Sequence, residues 1–462
     1  MQHQLKLFPA NTRKTNRSFT FRPEGGSCAI DSRPYLRELG IEIQDKKKRV
    51  QFTHNFSYPV HRWVPYVQGF SAEFVQSVLD RYRDDYHDPV VLDPFAGCGT
   101  VLVQSKLTGH ESVGTELNPF LHYIANIKVN SWDVKPEFLI ELYSSIPRNI
   151  ATPSPAFLKS HSQFNLGVLK NLEILKGGID SIDSHSSKVR KAKDLLLLAF
   201  ASILVDCSNL KRTPCLGYSK NKKVPDSAPW VLIDKKIREI AGDLVSLNKQ
   251  HRHRRKIGSQ VILANAMEYV HHRKFDLIIT SPPYMNGLDY VMNYKIEMAW
   301  LNFIKNNKDA KKIKDEMVVC DNVSKGLIKN FADSGDRYTN QWLRDIVNRI
   351  ARNLAARKVY RRLDMPSIVA KYFDDMYRVM KNVSRSLKPN GRFVLVVGDS
   401  LVADVYLPTD LLLAKIGTEP EIGLAIEKIE KARTRRSGQV RNYLLRETIV
   451  TLKKPPKAGH DG

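Results

Sequence analysis

The chain has 462 residues, of which 42% are hydrophobic and 26% charged, a composition that is ordinary for a soluble globular protein. Its charge is unusual, because 73 Lys and Arg residues against 48 Asp and Glu residues leave a formal net charge of +25. Such an excess favours a polyanionic partner, nucleic acid first, although a basic surface without a dedicated ligand stays open from charge alone.

The cysteines and the apolar segments exclude several classes of protein. The five cysteines are scattered and never form a CxxC pair, which argues against a disulfide framework or a zinc cluster and for a reducing compartment. The chain start has no apolar signal region, and the longest apolar stretch, 195–205, is far shorter than the ~20 residues that span a bilayer. We therefore expect a cytoplasmic protein with no membrane anchor and no bound metal, and a buried helix at 195–205.

Shifts in composition divide the chain into six segments. They are a basic N-terminal arm (1–51), a first core part (52–130), a helical basic insertion that is the candidate for target recognition (131–257), a second core part (258–300), a second basic insertion (301–365) and a third core part (366–462). The two insertions are inferred because the helical texture between core strands is far longer than an ordinary crossover.

The core segments alternate strand and helix signals. In chain order we expect a helix capped by Ser71, a strand at 90–95, a helix at about 100–108, strands at 111–117, 260–266 and 275–281, a helix near 367–387, a turn at 388–391, a strand at 392–400, and a final reversed strand. This order predicts an α/β protein with a Rossmann-like mixed sheet, helices on both faces and helical insertions.

A glycine-rich turn, DPFAGCGT, follows the first core strand. Gly97 and Gly99 permit the sharp strand-to-helix turn and the close backbone approach that a bound nucleoside requires. Glu116 ends the next strand, where an acid can accept hydrogen bonds from ribose hydroxyls. The chain has no third spaced glycine and no GK[ST], so a site for a sugar and an amine is favoured over a phosphate cradle, with Asp93 facing the amine. Cys98 is expected to be a small turn residue.

A double-proline segment, SPPY, follows the strand at 275–281. Pro282 and Pro283 lack backbone donors, so the carbonyls around Ser281 and Pro282 are expected to point outward as acceptors, which suits an exocyclic amine. Tyr284 would offer a flat face on which an extruded base can stack. A purely structural turn is the alternative interpretation, but the preceding strand and the following aromatic segment favour a functional loop.

Together the two motifs resemble those of exocyclic-amine DNA methyltransferases of restriction-modification systems, and the serine of SPPY resembles the cytosine-N4 group. The resemblance covers about half of the chain. It implies a seven-stranded S-adenosylmethionine-dependent methyltransferase fold, S-adenosylmethionine as cofactor, double-stranded DNA as substrate and a cognate restriction endonuclease as candidate partner.

The resemblance also assigns roles to individual residues. The target base would be held by Ser281, Pro282, Pro283 and Tyr284. The cofactor would be bound by Phe70, Ser71, Asp93, Pro94, Phe95, Gly97, Gly99, Thr100, Glu116, Asn118, Asn265 and Ala266. One departure is Asn265, since the family often has an aspartate there to bind the adenine amine.

Other activities stay open at this point. Adenine-N6 methylation differs by one loop residue, an RNA guanine-N2 methyltransferase shares both motifs, and a DNA-binding protein could keep an inactive core. A cytosine-C5 mechanism is disfavoured, because the pair Pro214 and Cys215 lies in the helical insertion without a preceding strand. The recognition sequence and the oligomeric state are not predicted.

Overall fold

The computed structural model describes residues 32–46, 50–67, 69–212, 215–287, 289–356, 362–436 and 444–456. Most of the predicted N-terminal arm, including residues 47–49, and Pro214 lie outside the described residues.

One mixed sheet of eight strands forms the centre of the molecule, and two small two-stranded sheets lie outside it. The strands are β1 Ile43–Asp45, β2 Val91–Asp93, β3 Ser112–Glu116, β4 Leu210–Arg212, β5 Leu216–Tyr218, β6 Ser259–Leu263, β7 Phe275–Thr280, β8 Leu387–Gly398, β9 Ser400–Val402, β10 Val405–Leu407, β11 Ala425–Arg436 and β12 Leu444–Lys453.

The order across the large sheet is β1-β11-β12-β8-β7-β2-β3-β6. All neighbours from β6 to β8 pair in parallel, while β12 runs antiparallel to both β8 and β11. Strands β3 and β6 lie on one side of β2, and β7 and β8 lie on the other, which is the arrangement of a Rossmann-like domain. The predicted α/β fold with a reversed last strand is therefore confirmed.

The sheet differs from the prediction at two places. Strand β1 comes from the segment that was predicted to be a separate arm, and it pairs in parallel with β11, so the sheet has an eighth strand. The turn predicted at 388–391 lies within β8, where Asn390 has a φ of 61° and a register shift separates the pairs formed by Leu387 and Arg392 with β7.

Helices cover both faces of the sheet. They are α1 Arg33–Leu39, α2 Ala72–Arg81, α3 Thr100–Thr108, α4 Pro119–Asn130, α5 Pro136–Ser144, α6 Ser160–Gln163, α7 Leu166–Asp180, α8 Ser187–Cys207, α9 Ala228–Gln250, α10 Tyr290–Asn293, α11 Lys295–Trp300, α12 Asn307–Glu316, α13 Lys325–Asp333, α14 Gln341–Ala355, α15 Met365–Ser386 and α16 Thr409–Gly417. Short 3-10 helices occupy Phe52–Ser57, His61–Trp63 and Arg252–Lys256.

Successive apolar side chains of a strand point to opposite faces of the sheet, which explains why helices pack on both faces. Leu277 and Ile279 of β7 belong to one apolar cluster, with α2, α3, α4 and the helices of the first insertion. Ile278, between them, belongs to a second cluster with α13 to α16. Two predicted helices are confirmed here, since the buried stretch 195–205 lies in α8 and the Ser71 side chain caps α2 by accepting from the Phe74 amide at 3.1 Å.

One carboxylate of the first insertion joins it to the segment before the first parallel strand. Asp243 of α9 is buried and accepts hydrogen bonds from the Val60 amide at 3.0 Å and the Trp63 indole at 2.9 Å, and it pairs with the Arg62 guanidinium. Val60 has a φ of 65°, an unfavourable conformation for a β-branched residue. The insertion therefore fixes the backbone of residues 60–63.

Candidate active site

A cleft lies between the loops that follow β2 and β7, the two strands at which the strand order reverses. Strands β2 and β7 are parallel neighbours, with Val91 opposite Leu277, although more than a hundred residues separate them. The chain proceeds from β2 to β3 and β6 on one side and from β7 to β8 on the other. The loops that follow β2 and β7 thus leave the same edge at the topological switch point, the usual ligand position in open α/β sheets.

The cleft is open to solvent, and the empty space within it and at its mouth is about 550 Å³. Its lining residues are Tyr66, Pro94, Phe95, Glu116, Leu117, Leu121, Ala264, Asn265, Ala266, Ser281, Pro283, Tyr290, Met317 and Val318. The glycine-rich turn and the SPPY loop, predicted separately from the sequence, both contribute to this lining.

The structure divides the predicted site residues into two groups. Those that line the cleft are Pro94, Phe95, Glu116, Asn265, Ala266, Ser281 and Pro283. Those outside its lining are Phe70, Ser71, Asp93, Gly97, Gly99, Thr100, Asn118, Pro282 and Tyr284. All of the second group except Tyr284 are buried.

Both glycines of the turn have left-handed backbones. Gly97 has a φ of 53° and Gly99, which precedes α3, a φ of 83°. A Cβ on Gly97 would lie 2.6 Å from the Tyr66 hydroxyl, and one on Gly99 would lie 3.1 Å from the Ala125 Cβ. The backbone conformation disfavours side chains at both positions, and at Gly97 a side chain would also require Tyr66 to move.

Glu116 connects the glycine-rich turn to the end of β3. One carboxylate oxygen accepts from the Gly97 amide at 2.8 Å and the other from the Asn118 amide at 2.8 Å. Burial raises the pKa of Glu116 to about 7. The side chain also lines the cleft, so a carboxylate oriented by two backbone donors faces the ligand space.

Asp93 connects the ends of β2 and β7. It is 1% exposed, and its Oδ1 accepts from the Thr280 hydroxyl at 2.7 Å and from the Phe95 amide at 3.0 Å. Burial raises the pKa of Asp93 to about 7. Thr280 is the residue before Ser281, so this hydrogen bond fixes the spacing between the two loops. No local sequence pattern indicates this bond.

Phe70, Ser71 and Asn118 are all buried. Ser71 and Asn118 cap α2 and α4, and the Asn118 side chain accepts from the Phe120 amide at 3.0 Å.

Asn265 and Ala266 follow β6 and line the cleft opposite the turn. The Asn265 side-chain oxygen accepts from the Met267 amide at 3.0 Å, and its nitrogen donates to the Glu316 carbonyl at 3.0 Å. The amide is thereby held in one orientation at the cleft wall.

The SPPY loop is held by contacts with distant parts of the chain. The Tyr372 hydroxyl of α15 donates to the Pro283 carbonyl at 3.0 Å. The Tyr284 hydroxyl donates to Glu447 of β12 at 3.0 Å, and the Arg435 guanidinium lies 5.9 Å from the centre of the Tyr284 ring. Burial raises the pKa of Tyr284 well above its usual value. Tyr284 thus has its hydroxyl anchored, and the residue is half-buried.

Sequence reasoning missed the aromatic wall of the cleft. Tyr66 stacks on Tyr290 and on Tyr294, with ring centroids 6.1 Å apart in both pairs. Tyr66 and Tyr290 line the cleft, whereas Tyr294 lies behind them. The aromatic-rich segment before the first strand was a signal for Tyr66, but the prediction took Phe70 and Ser71 from it instead. Met317 and Val318, from the second insertion, had no signal.

Other candidate sites receive no support from the described residues. Within the described ranges, no group of three His, Cys, Asp or Glu side chains could hold a metal ion. Cys98 is buried in the turn, and Cys215 is exposed on the β4–β5 hairpin, away from the cleft lining. Among the helices that the structure describes, none is long and apolar enough to cross a membrane.

Comparison with known proteins gives relatives of nearly the same length. The chain is 24% identical to the Type II methyltransferase M.BsoBI of Geobacillus stearothermophilus, over 98% of this chain and 95% of that protein. It is 25% identical to the Type II methyltransferase M.AvaI of Nostoc sp., over 92% and 91%, and 20% identical to M.MvaI of Kocuria varians, over 84% of each. No family model matches the chain.

Among solved structures, TrmN from Thermus thermophilus aligns with 11% identity and a TM-score of 0.27, over 83% of this chain and 48% of that one. An rRNA methyltransferase, aviRa from Streptomyces viridochromogenes, aligns with 7% identity and a TM-score of 0.30, over 84% and 87%. The chain is thus similar, along most of its length, to Type II methyltransferases.

Proposed function

We propose that this chain is an S-adenosylmethionine-dependent DNA methyltransferase that methylates the exocyclic N4 amine of cytosine in duplex DNA. The observation that supports this most strongly is that the glycine-rich turn and the SPPY loop open onto one cleft. A methyl donor and an acceptor amine could therefore meet between them.

The residues of the turn fit S-adenosylmethionine. Glu116 offers carboxylate oxygens for ribose hydroxyls, and the left-handed turn at Gly97 directs its amide to that carboxylate. Asp93, behind the turn, contributes negative charge toward the cofactor's amine when ionised. The Asn265 side-chain oxygen has a second lone pair beyond the one that Met267 uses, and this can accept from the adenine amine.

The SPPY loop is suited to orient a weakly nucleophilic amine. When bound, the cofactor supplies a methyl group that its sulfonium already activates. The Ser281 hydroxyl and the carbonyls of Ser281 and Pro282 would accept hydrogen bonds from the N4 amine, and this localises the nitrogen lone pair toward the methyl group. Pro282 and Pro283 have no amide hydrogens that would compete for the acceptors. Tyr284 would stack on the flipped base, and proton loss follows methyl transfer, so no strong base is required.

Duplex DNA as the substrate is supported by two independent observations. The relatives that match over nearly the full length are named Type II methyltransferases, and the net charge of +25 suits a phosphate backbone. The serine at 281 favours cytosine N4 over adenine N6 by its resemblance to the cytosine-N4 group. A restriction endonuclease that cuts the same sequence is the partner that this function implies.

Mass spectrometry of nucleosides tests the proposal. The chain is expressed in a host without related methyltransferases, the DNA is digested, and the modified nucleosides are compared with those from cells expressing Tyr284→Ala. We expect N4-methylcytosine only with the unaltered chain. N6-methyladenine would reassign the target base, and N2-methylguanine confined to RNA would reassign the substrate. Cofactor binding without any modified nucleoside would identify a DNA-binding protein with an inactive core.

A further inference from the structure

The β4–β5 hairpin of the first insertion lies against the helices that follow the SPPY loop. The Arg212 guanidinium donates to the Asn293 carbonyl at 2.8 Å and pairs with the carboxylate of Glu297, which is 2% exposed. The same guanidinium lies 4.6 Å from the centre of the Tyr294 ring. Because Tyr294 stacks on Tyr66, which lines the cleft, a continuous series of contacts joins the hairpin to the cleft wall.

The residues around this hairpin carry a concentrated positive charge. Residues 210–223, which we call the basic hairpin, contain Lys and Arg at several positions and no Asp or Glu. Lys211 alternates with the inward-facing Arg212 and is exposed, as are Lys220 and Lys223. Lys222 instead turns inward and donates to the Val205 carbonyl at 2.6 Å, which holds the end of the segment against α8.

A second basic run, at 251–256, lies at the opposite edge of the sheet. Its 3-10 helix, Arg252–Lys256, directly precedes β6, which is parallel to β3. The cleft is formed by loops at the carboxyl ends of these strands, so the run is separated from it by the length of β6, roughly 16 Å. Within the run, Arg252 and Lys256 are exposed, whereas Arg254 packs against Gly109.

From this contrast we propose that duplex DNA binds across the cleft edge of the sheet with its phosphates on the exposed lysines of the basic hairpin, and that the 251–256 run does not contact it. The inference rests on the proposed function, because a base can enter the cleft only if the duplex lies over the cleft edge. Phosphate contacts of this kind position the duplex and carry no base specificity themselves.

Two matched double variants test the location of the interface. Lys211→Ala with Lys220→Ala, and Arg252→Ala with Lys256→Ala, each remove two exposed positive charges from the full chain. Fluorescence anisotropy with a random-sequence duplex of about 30 base pairs measures affinity at several salt concentrations, and thermal unfolding checks that each variant folds. For the hairpin variant we expect affinity to fall about tenfold and the slope of log affinity against log salt to decrease in magnitude by about 2. The far-edge variant should stay within about twofold of the unaltered chain.

Any other pattern of DNA affinity in the two variants would contradict the proposed DNA interface. Equal losses in both variants, a larger loss in the far-edge variant, or no loss in either would place the duplex elsewhere. A separate measurement, transfer of labelled methyl from S-adenosylmethionine to genomic DNA by the unaltered chain, distinguishes this from failure of the proposed function. If methyl transfer to DNA occurs and the hairpin variant binds normally, only the interface is wrong; if no transfer and no DNA binding occur, both proposals fall.

Discussion

The two loops of the cleft are built in different ways. The glycine-rich turn is held by Glu116, which is only 19 residues from the Gly97 amide that it binds. The SPPY loop is held by Tyr372, 89 residues from Pro283, and by Glu447, 163 residues from Tyr284. The turn thus depends on its neighbouring strand, whereas the SPPY loop depends on elements from the far end of the chain.

Because the two loops have different supports, we expect variants to change either cofactor affinity or turnover. Variants of the turn should alter cofactor affinity with little effect on turnover at saturation. Variants of the SPPY loop and its supports should alter turnover with little effect on cofactor affinity, because Tyr372 and Glu447 support this loop whereas Glu116 supports the turn. The following variants, from the largest expected effect to the smallest, test that separation.

Tyr284→Ala should lower the turnover number about 100-fold, since it removes the face on which the base stacks. Cofactor affinity, measured by calorimetry, should stay within about twofold. Tyr284→Phe, which keeps the ring and loses only the bond to Glu447, is the control and should lose far less. Weakened cofactor affinity with normal turnover at saturating cofactor would contradict the assignment.

Gly97→Val should weaken cofactor binding about 30-fold. Its side chain would meet the Tyr66 hydroxyl and would force a β-branched residue to adopt a φ of 53°. Gly217→Val is the control, because a Cβ there has no atom within 4 Å and the backbone φ is not positive. Calorimetric titration should therefore find normal affinity in the control, and unchanged affinity in Gly97→Val would remove the turn from the site.

Cofactor affinity should rise up to tenfold between pH 6 and pH 8. The pKa values of Asp93 and Glu116 are both raised to about 7 by burial, so both carboxyls are largely protonated at pH 6. The ionised forms are the stronger acceptors and attract a cationic ligand, so binding should lower both pKa values and release protons. Without ligand the sign is opposite: the raised pKa values lower the free energy of unfolding as the pH rises from about 4 through 7.

Glu116→Ala should weaken binding about tenfold at pH 8 and flatten this pH profile, as calorimetry in buffers of different ionisation enthalpy would measure. Glu111→Ala, at the other end of the same strand region and paired with Arg273 at the surface, should leave the profile intact. A profile that is equally steep in Glu116→Ala would assign the titration to other groups.

Glu447→Gln should lower turnover only about threefold, because the amide keeps the shape but replaces a charge-assisted hydrogen bond to Tyr284 with a weaker one. Glu427→Gln, on the neighbouring strand and paired with Arg392, is the matched control and should turn over normally. Equal losses in the two variants would mean that Glu447 stabilises the pairing of β11 with β12 and does not orient Tyr284.

The same contrast explains what the sequence could predict. The turn around Gly97, the strand ends at Glu116 and Thr280, and the cap at Ser71 are local, so their residues alone indicate them. The hydrogen bond between Asp93 and Thr280, the Tyr372 contact and the Tyr66 wall join segments far apart in the chain, and no local pattern encodes them. Strand β1 was missed because three residues at a sheet edge give too short an alternation to read.

The buried carboxylate of Asp243 has a consequence for engineering this protein. Because it holds residues 60–63, and Tyr66 of the cleft follows three residues later, the segment 131–257 cannot be removed or exchanged on its own. A truncated version lacking 131–257, or a chimaera with a relative's insertion that lacks an acceptor at this place, would leave the Val60 amide and the Trp63 indole without a buried partner and would cost several kcal/mol. Exchange of segment 131–257 between relatives therefore requires moving residues 58–66 together with it.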